Sequence, residues 1–171
     1  MTFLNRVLQI ADPRGRCNRK ALLGIALALL SIQAVAIAVH WFTENTALHF
    51  VASAVEVACL WIATSAAIKR LHDLGYSGWS VPGATLLLFA WMLVASFVSY
   101  LALGESVAVV GSPAFFVYAS AVMVWPLAAT LWLHFAKGIE GANRYGPEPD
   151  DTGLSVAPYG AGLGLPEPQT V

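Results

Sequence analysis

Charge is scarce in this 171-residue chain: Asp, Glu, Lys and Arg make up 11%, against 58% hydrophobic residues. Soluble domains carry about 25% charged side chains. The scarcity therefore excludes an ordinary water-soluble globule and points to lipid, as does a mean hydropathy of +0.68. Cysteine is scarce too. Cys17 sits in a basic segment and Cys59 in an apolar run, so a disulfide framework is not expected. The chain lacks a glycine-rich phosphate loop, a CxxC pair and a basic-aromatic groove, which removes nucleotide and nucleic-acid readings.

Where charge is missing altogether, the gaps have a telling length. Residues 21–42 hold none and rise about 33 Å at about 1.5 Å per residue, enough for a hydrocarbon layer of about 30 Å. Apolar runs at residues 48–68, 81–103 and 113–136 predict three more spans, with Glu56 the one ionisable carboxylate inside them. The expected fold class is an all-α membrane protein with four transmembrane helices, its transmembrane domain covering residues 21–136. Residues 43–47 suffice only for a tight return, so the first two spans form an antiparallel hairpin. The first run follows Arg6, Arg14, Arg16, Arg19 and Lys20 and precedes three further runs. A membrane helix, not a cleaved signal, is expected there.

The remaining cations are Lys69, Arg70, Lys137 and Arg144, and the two outer connections, residues 43–47 and 104–112, contain neither Lys nor Arg. Under the positive-inside rule both termini are cytoplasmic. Residues 1–20 form a basic, amphipathic N-terminal segment. Within it Leu4, Val7, Leu8 and Ala11 fall at helical spacing, which fits a short interfacial helix or, alternatively, a frayed terminus. Residues 69–80 form a hinge in which Gly75 ends one helix, Trp79 anchors at the interface and Ser80 caps the next. Residues 137–149 make a second cytoplasmic motif. Residues 150–171, rich in Pro, Gly and acids, are expected to be disordered.

Three polar strings stand out between the runs. They are Gly15-Arg16-Cys17-Asn18-Arg19-Lys20, then Lys69-Arg70-Leu71-His72-Asp73 with Ser77-Gly78-Trp79, then Gly141-Ala142-Asn143-Arg144-Tyr145-Gly146-Pro147. In order and spacing they resemble the bacterial inner-membrane family called domain of unknown function 805, with Lys69 where that family usually has Arg. The resemblance implies a small multi-span bacterial protein without an assigned reaction.

Threading puts all three strings on one side. Arg16, Arg19, Lys69, Arg70, His72, Asp73, Ser77, Gly78, Trp79, Asn143, Arg144 and Tyr145 are therefore expected to form a polar knot at the inner mouth of the helices. Asp73 should pair with Arg16, Arg19, Arg70 or Arg144. The knot is either a structural lock on helix ends or a contact surface for anionic lipid, a phosphate-bearing ligand, a membrane-protein partner or a second copy. Adjacent His72 and Asp73 point about 100° apart on a helix and have no nucleophile placed beside them, so no catalytic residue and no enzyme is expected, a membrane enzyme using this pair being the remote alternative.

Glu56 shares a helical stripe with His49, Ala52, Ser53, Cys59 and Ala63, a face of small and polar residues suited to close helix contact. It is either a neutral carboxyl bonding a neighbouring helix or an ion or proton step in a small transporter. His40, Glu44, His49 and Glu105 gather at the outer face but match no compact ligand spacing. No metal or cofactor is expected.

Overall fold

The computed structural model describes residues 3–155. Helix α1 covers Phe3–Ala11, β1 Arg16–Cys17, α2 Arg19–Phe42, α3 Thr46–Asp73, α4 Ser80–Leu103, α5 Pro113–Phe135 and β2 Leu154–Ser155. A 3-10 turn, Gly104–Ala108, precedes α5. The helices α2, α3 and α5, and α4 taken with its 3-10 extension, are each long and apolar enough to cross a membrane. The chain divides into two compact units, the first formed by the described residues up to Gly78 and from Ala136 on, the second by Trp79–Phe135.

In the first unit, asparagines start both long helices. Asn18 Oδ1 accepts the amide of Ala21 at 2.9 Å, and Asn45 Oδ1 accepts those of Ala47 and Leu48. These side chains satisfy amides that a helix start leaves without a partner. Between the helices, Thr43 turns back on Val39 O through both its amide and its hydroxyl. The three-residue return makes α2 and α3 antiparallel. Small residues, Ala36 on α2 and Ala52, Cys59 and Ala66 on α3, are buried, letting the two backbones approach closely.

The amphipathic α1 is present as a helix and packs on α3. Its last carbonyls are taken up by one stripe of α3 at a spacing of four. Trp61 Nε1 and Ser65 Oγ both donate to Ala11 O at 3.0 Å, and Lys69 Nζ donates to Gln9 O. Those carbonyls lie at a helix end with no intrahelical partner, so the three donors fix where α1 stops.

In the second unit α4 and α5 are tied by Trp91 Nε1 donating to Ala121 O at 3.0 Å and by Ser96 Oγ, 3.3 Å from the Tyr118 hydroxyl. Ser112 caps α5 by accepting the amide of Phe115. Pro126 falls inside α5, yet the helix is continuous through it.

Three expectations need correction. Helix α3 does not stop at residue 68 but runs to Asp73, because Lys69, Arg70 and Asp73 are buried and bonded while still helical. The turn proper is residues 74–79, with Gly75 in the left-handed region at φ 84°. Ser80 is the first residue of α4 and makes no capping bond, since Trp79 holds the cap position. The tail expected to be disordered begins with an ordered turn and strand: Asp150 Oδ1 accepts both the amide and the hydroxyl of Thr152, and β2 pairs antiparallel with β1, Arg16 opposite Ser155 and Cys17 opposite Leu154. The rest of that tail, residues 156–171, lies outside the described residues.

Gly153 carries this turn. Its φ is 79°, and an added Cβ would stand 2.6 Å from Asn18 Oδ1 and 2.7 Å from Ala21 Cβ, whereas one on Gly24 would meet nothing within 4 Å. Gly153→Ala should therefore cost about 1–3 kcal/mol through left-handed strain, besides the clash, and lower the thermal midpoint in detergent. Gly24→Ala should leave that midpoint unchanged or raise it. Equal midpoints for the two variants would contradict the β1–β2 closure.

Candidate functional site

The last turns of α3 place Arg70 three residues before Asp73 and Lys69 four residues before it, so all three reach the same end of the helix. Strand β1 lays Arg16 across them. Arg16 Nε and Nη2 both donate to Asp73 Oδ1, at 3.1 and 2.9 Å, and Arg70 Nη1 donates to Asp73 Oδ2. The remaining guanidinium donors go to main-chain carbonyls. Arg16 reaches Ile139 O and Gly141 O, while Arg70 reaches Ala136 O and, at 3.5 Å, Cys17 O. Arg16 is 0% exposed, Arg70 1% and Asp73 3%. A carboxylate bridging two buried guanidiniums, with every oxygen and most N–H groups bonded, is an arrangement in which burial of such charges is tolerated.

Main chain closes over the carboxylate. Ile139 N donates to Asp73 O at 2.9 Å, bringing Gly138 so close that a Cβ there would lie 2.1 Å from Asp73 Oδ2. Only glycine fits. Cys17 lies fully buried beside the cluster. Burial pushes its thiol up to about 12, against the pull of Lys69 and Arg70 and with Asp73 adding to the rise. At neutral pH it is an inert thiol.

A second group surrounds His72. Its Nδ1 is 3.0 Å from Gly15 O; a carbonyl only accepts, so Nδ1 carries the proton. The ring stacks on Tyr145 at 3.9 Å between centroids with 6° between planes, and the Arg144 guanidinium covers the tyrosine at 4.7 Å. Asn143 Nδ2 donates to His72 O, and Arg144 Nη2 to Gly75 O. Gly78 leaves room for the imidazole, since a Cβ there would be 3.2 Å from His72 Nε2 and 2.9 Å from Ile68. His72 and Asp73 thus face different partners and form no acid–base dyad.

Of the residues singled out from the sequence, Arg16, Arg70 and Asp73 form one bonded cluster, and His72, Asn143, Arg144 and Tyr145 a second beside it. Lys69 is buried but serves α1. Arg144 does not pair with Asp73; it caps Gly75 instead. Arg19 is exposed at the start of α2, on the wall of a 220 Å³ cavity that Asp73, Arg70 and Glu148 also line. Ser77 is half-buried. Trp79 is 83% exposed and belongs to the second unit.

Glu56 lies elsewhere in the first unit. Its Oε1 is 3.5 Å from His40 Nε2, the two side chains about one-third exposed. His40 stands edge-on to His49 at 5.1 Å, and His49 Nε2 is 2.8 Å from Thr43 O. Ser53 and Ala63 point away from that face, being exposed. No group of His, Cys, Asp or Glu suited to holding a metal occurs among the described residues.

Gly138, Ser155, Trp61 and Ser65 were not readable as site residues, and His40, noted at the outer face, was not foreseen as the partner of Glu56. The stripe Trp61, Ser65, Lys69 has a spacing of four that a helical wheel displays. Nothing local marks Gly138 or Ser155, whose partners are distant in sequence.

A family model described as protein of unknown function (DUF805) matches residues 10–147. The chain belongs to this family. The DUF805 match takes in Arg16, the end of α3 and the segment through Tyr145, and stops before β2. No curated protein and no solved structure matches the chain.

Asp73→Asn removes the charge that two buried guanidiniums share, a loss of about 3–5 kcal/mol. In a Cys59→Ala background, Cys17 should resist iodoacetamide at pH 8 in folded protein and become alkylated in the Asp73→Asn variant. Rapid labelling without the Asn substitution would contradict a closed cluster.

Proposed function

We propose that this protein is a multi-pass bacterial inner-membrane protein with both termini and the Asp73 cluster on the cytoplasmic side. Its activity is non-enzymatic: the cluster is a clasp that holds the N-terminal segment, the end of α3 and the segment 136–149 together. Its exposed rim serves as a contact surface for anionic lipid or another membrane protein. The observation that carries this reading is the saturation of Asp73 by Arg16 and Arg70 in a buried setting. A site kept for a ligand leaves donors open; here they are spent on the chain itself.

The sidedness is supported by the cations, since residues 43–47 and 104–112 contain no Lys or Arg, as the positive-inside rule requires of outer connections. The rim is supported by exposed Arg14, Arg19, Lys20 and Arg144, each worth about 1 kcal/mol near an anionic surface. In a variant without native cysteines, Glu44→Cys should react with a membrane-impermeant maleimide added to intact cells, and Ser77→Cys only after lysis. The reverse pattern would overturn the topology.

One observation favours a second reading, a small transporter with a proton-binding step. His40 gives Glu56 an ionisable partner on the facing helix, and an acid within a span is by default a functional-site hypothesis. If that reading holds, proteoliposomes should show a proton flux that Glu56→Gln abolishes. A flux unchanged by Glu56→Gln would remove it.

A further inference from the structure

The first unit has a second concave feature, unrelated to the clasp: a cleft of about 430 Å³ walled by Val7 and Ile10 of α1, Gly24, Ala28 and Ile32 of α2, and Ile62 of α3. On α2 it reaches from Ala21 to Ile32, which at about 1.5 Å per residue is about 17 Å along the axis. That is close to the depth of one leaflet, half of a hydrocarbon layer of about 30 Å. Gly24 opens its floor, for a Cβ there meets nothing within 4 Å.

The lining is apolar except where Arg6, Gln9 and Thr152 reach it. Arg6 is exposed, and α1 carries no acidic side chain to neutralise it. Lys20 adds a second exposed cation next to Ala21, at the end where α2 begins. Leu4 and Leu8, 63% and 58% exposed on α1, continue an apolar surface on a helix of the interfacial type. The depth, the apolar walls and the cations together fit one kind of occupant.

We propose that this cleft is a binding site for a single glycerophospholipid, one acyl chain lying between α1 and α2 and its phosphate meeting Arg6. The inference rests on the membrane placement proposed above. Binding there buries an apolar strip of α2 that would otherwise face mobile lipid, and it fixes α1 against the first span. The site thus takes a lipid as a structural ligand and not as passing solvent.

The test uses the full chain in phosphatidylglycerol liposomes containing a phosphatidylglycerol with a diazirine on the acyl chain, followed by irradiation and peptide mapping. Label should concentrate on the α1 peptide and on Ile25 and Leu29, above its level at exposed Leu86, Leu87 and Phe89 of α4. Gly24→Leu, whose Cβ enters open space at the floor, should reduce label at the cleft several-fold while leaving the detergent melting midpoint unchanged; Ala28→Leu gives the same readout should the first variant fold poorly. Arg6→Gln should weaken competition by unlabelled phosphatidylglycerol about five-fold, the effect of one cation near an anionic surface.

Label spread evenly over α2 and α4, or unaffected by both filling variants, would overturn the site while leaving the membrane placement intact. Cross-links from the cleft to a second copy of the chain would overturn it in favour of a protein occupant. Absence of label from every helix would overturn both the site and the membrane placement.

Discussion

A single carboxylate holds the first unit closed. Asp73 receives Arg16 on one oxygen and Arg70 on the other, and its main-chain carbonyl receives Ile139. Three segments far apart in sequence therefore converge on one residue. Each partner depends on the others, because a buried guanidinium without its anion costs far more than the intact pair returns. The arrangement explains why glycine is required at position 138, and the burial it creates keeps Cys17 an inert thiol against the pull of Lys69 and Arg70.

Around the clasp, the chain solves a recurrent problem of helix ends. The terminal carbonyls of a helix have no partner within it, and near lipid they have little water to turn to. Here side chains from α3 supply the donors to α1, with Trp61, Ser65 and Lys69 acting as one row. Arg144 does the same for Gly75. Much of the polar inventory of this sparsely charged protein is thus spent on main-chain oxygens.

The four long helices were legible because lipid selects for uncharged length, a property of composition that needs no knowledge of contacts. The convergence of Arg16, Arg70 and Asp73 was legible in kind, since three polar strings between apolar runs have few places to go. Which arginine took which oxygen was not, as Arg19 and Arg144 carry the same charge and differ only in where the backbone leaves them. The apolar run of the second span stops at residue 68, but buried partners for Lys69, Arg70 and Asp73 let α3 continue to Asp73, just before the terminating Gly75. The order of residues 150–155 was hidden because a two-residue strand owes its existence to Arg16 and Cys17, on the other side of four helices in the sequence.

That pairing has a consequence for the birth of the protein. Arg16 precedes Asp73 by 57 residues and Ser155 by 139, so at a synthesis rate of about 5–20 residues per second it waits several seconds for its anion and longer for its strand partner. During that wait the guanidinium is hydrated and without its anion, which is when the first span is being oriented. In the proposed topology one arginine therefore works twice, first as an address label read by the insertion machinery and only afterwards as a rivet inside the finished fold.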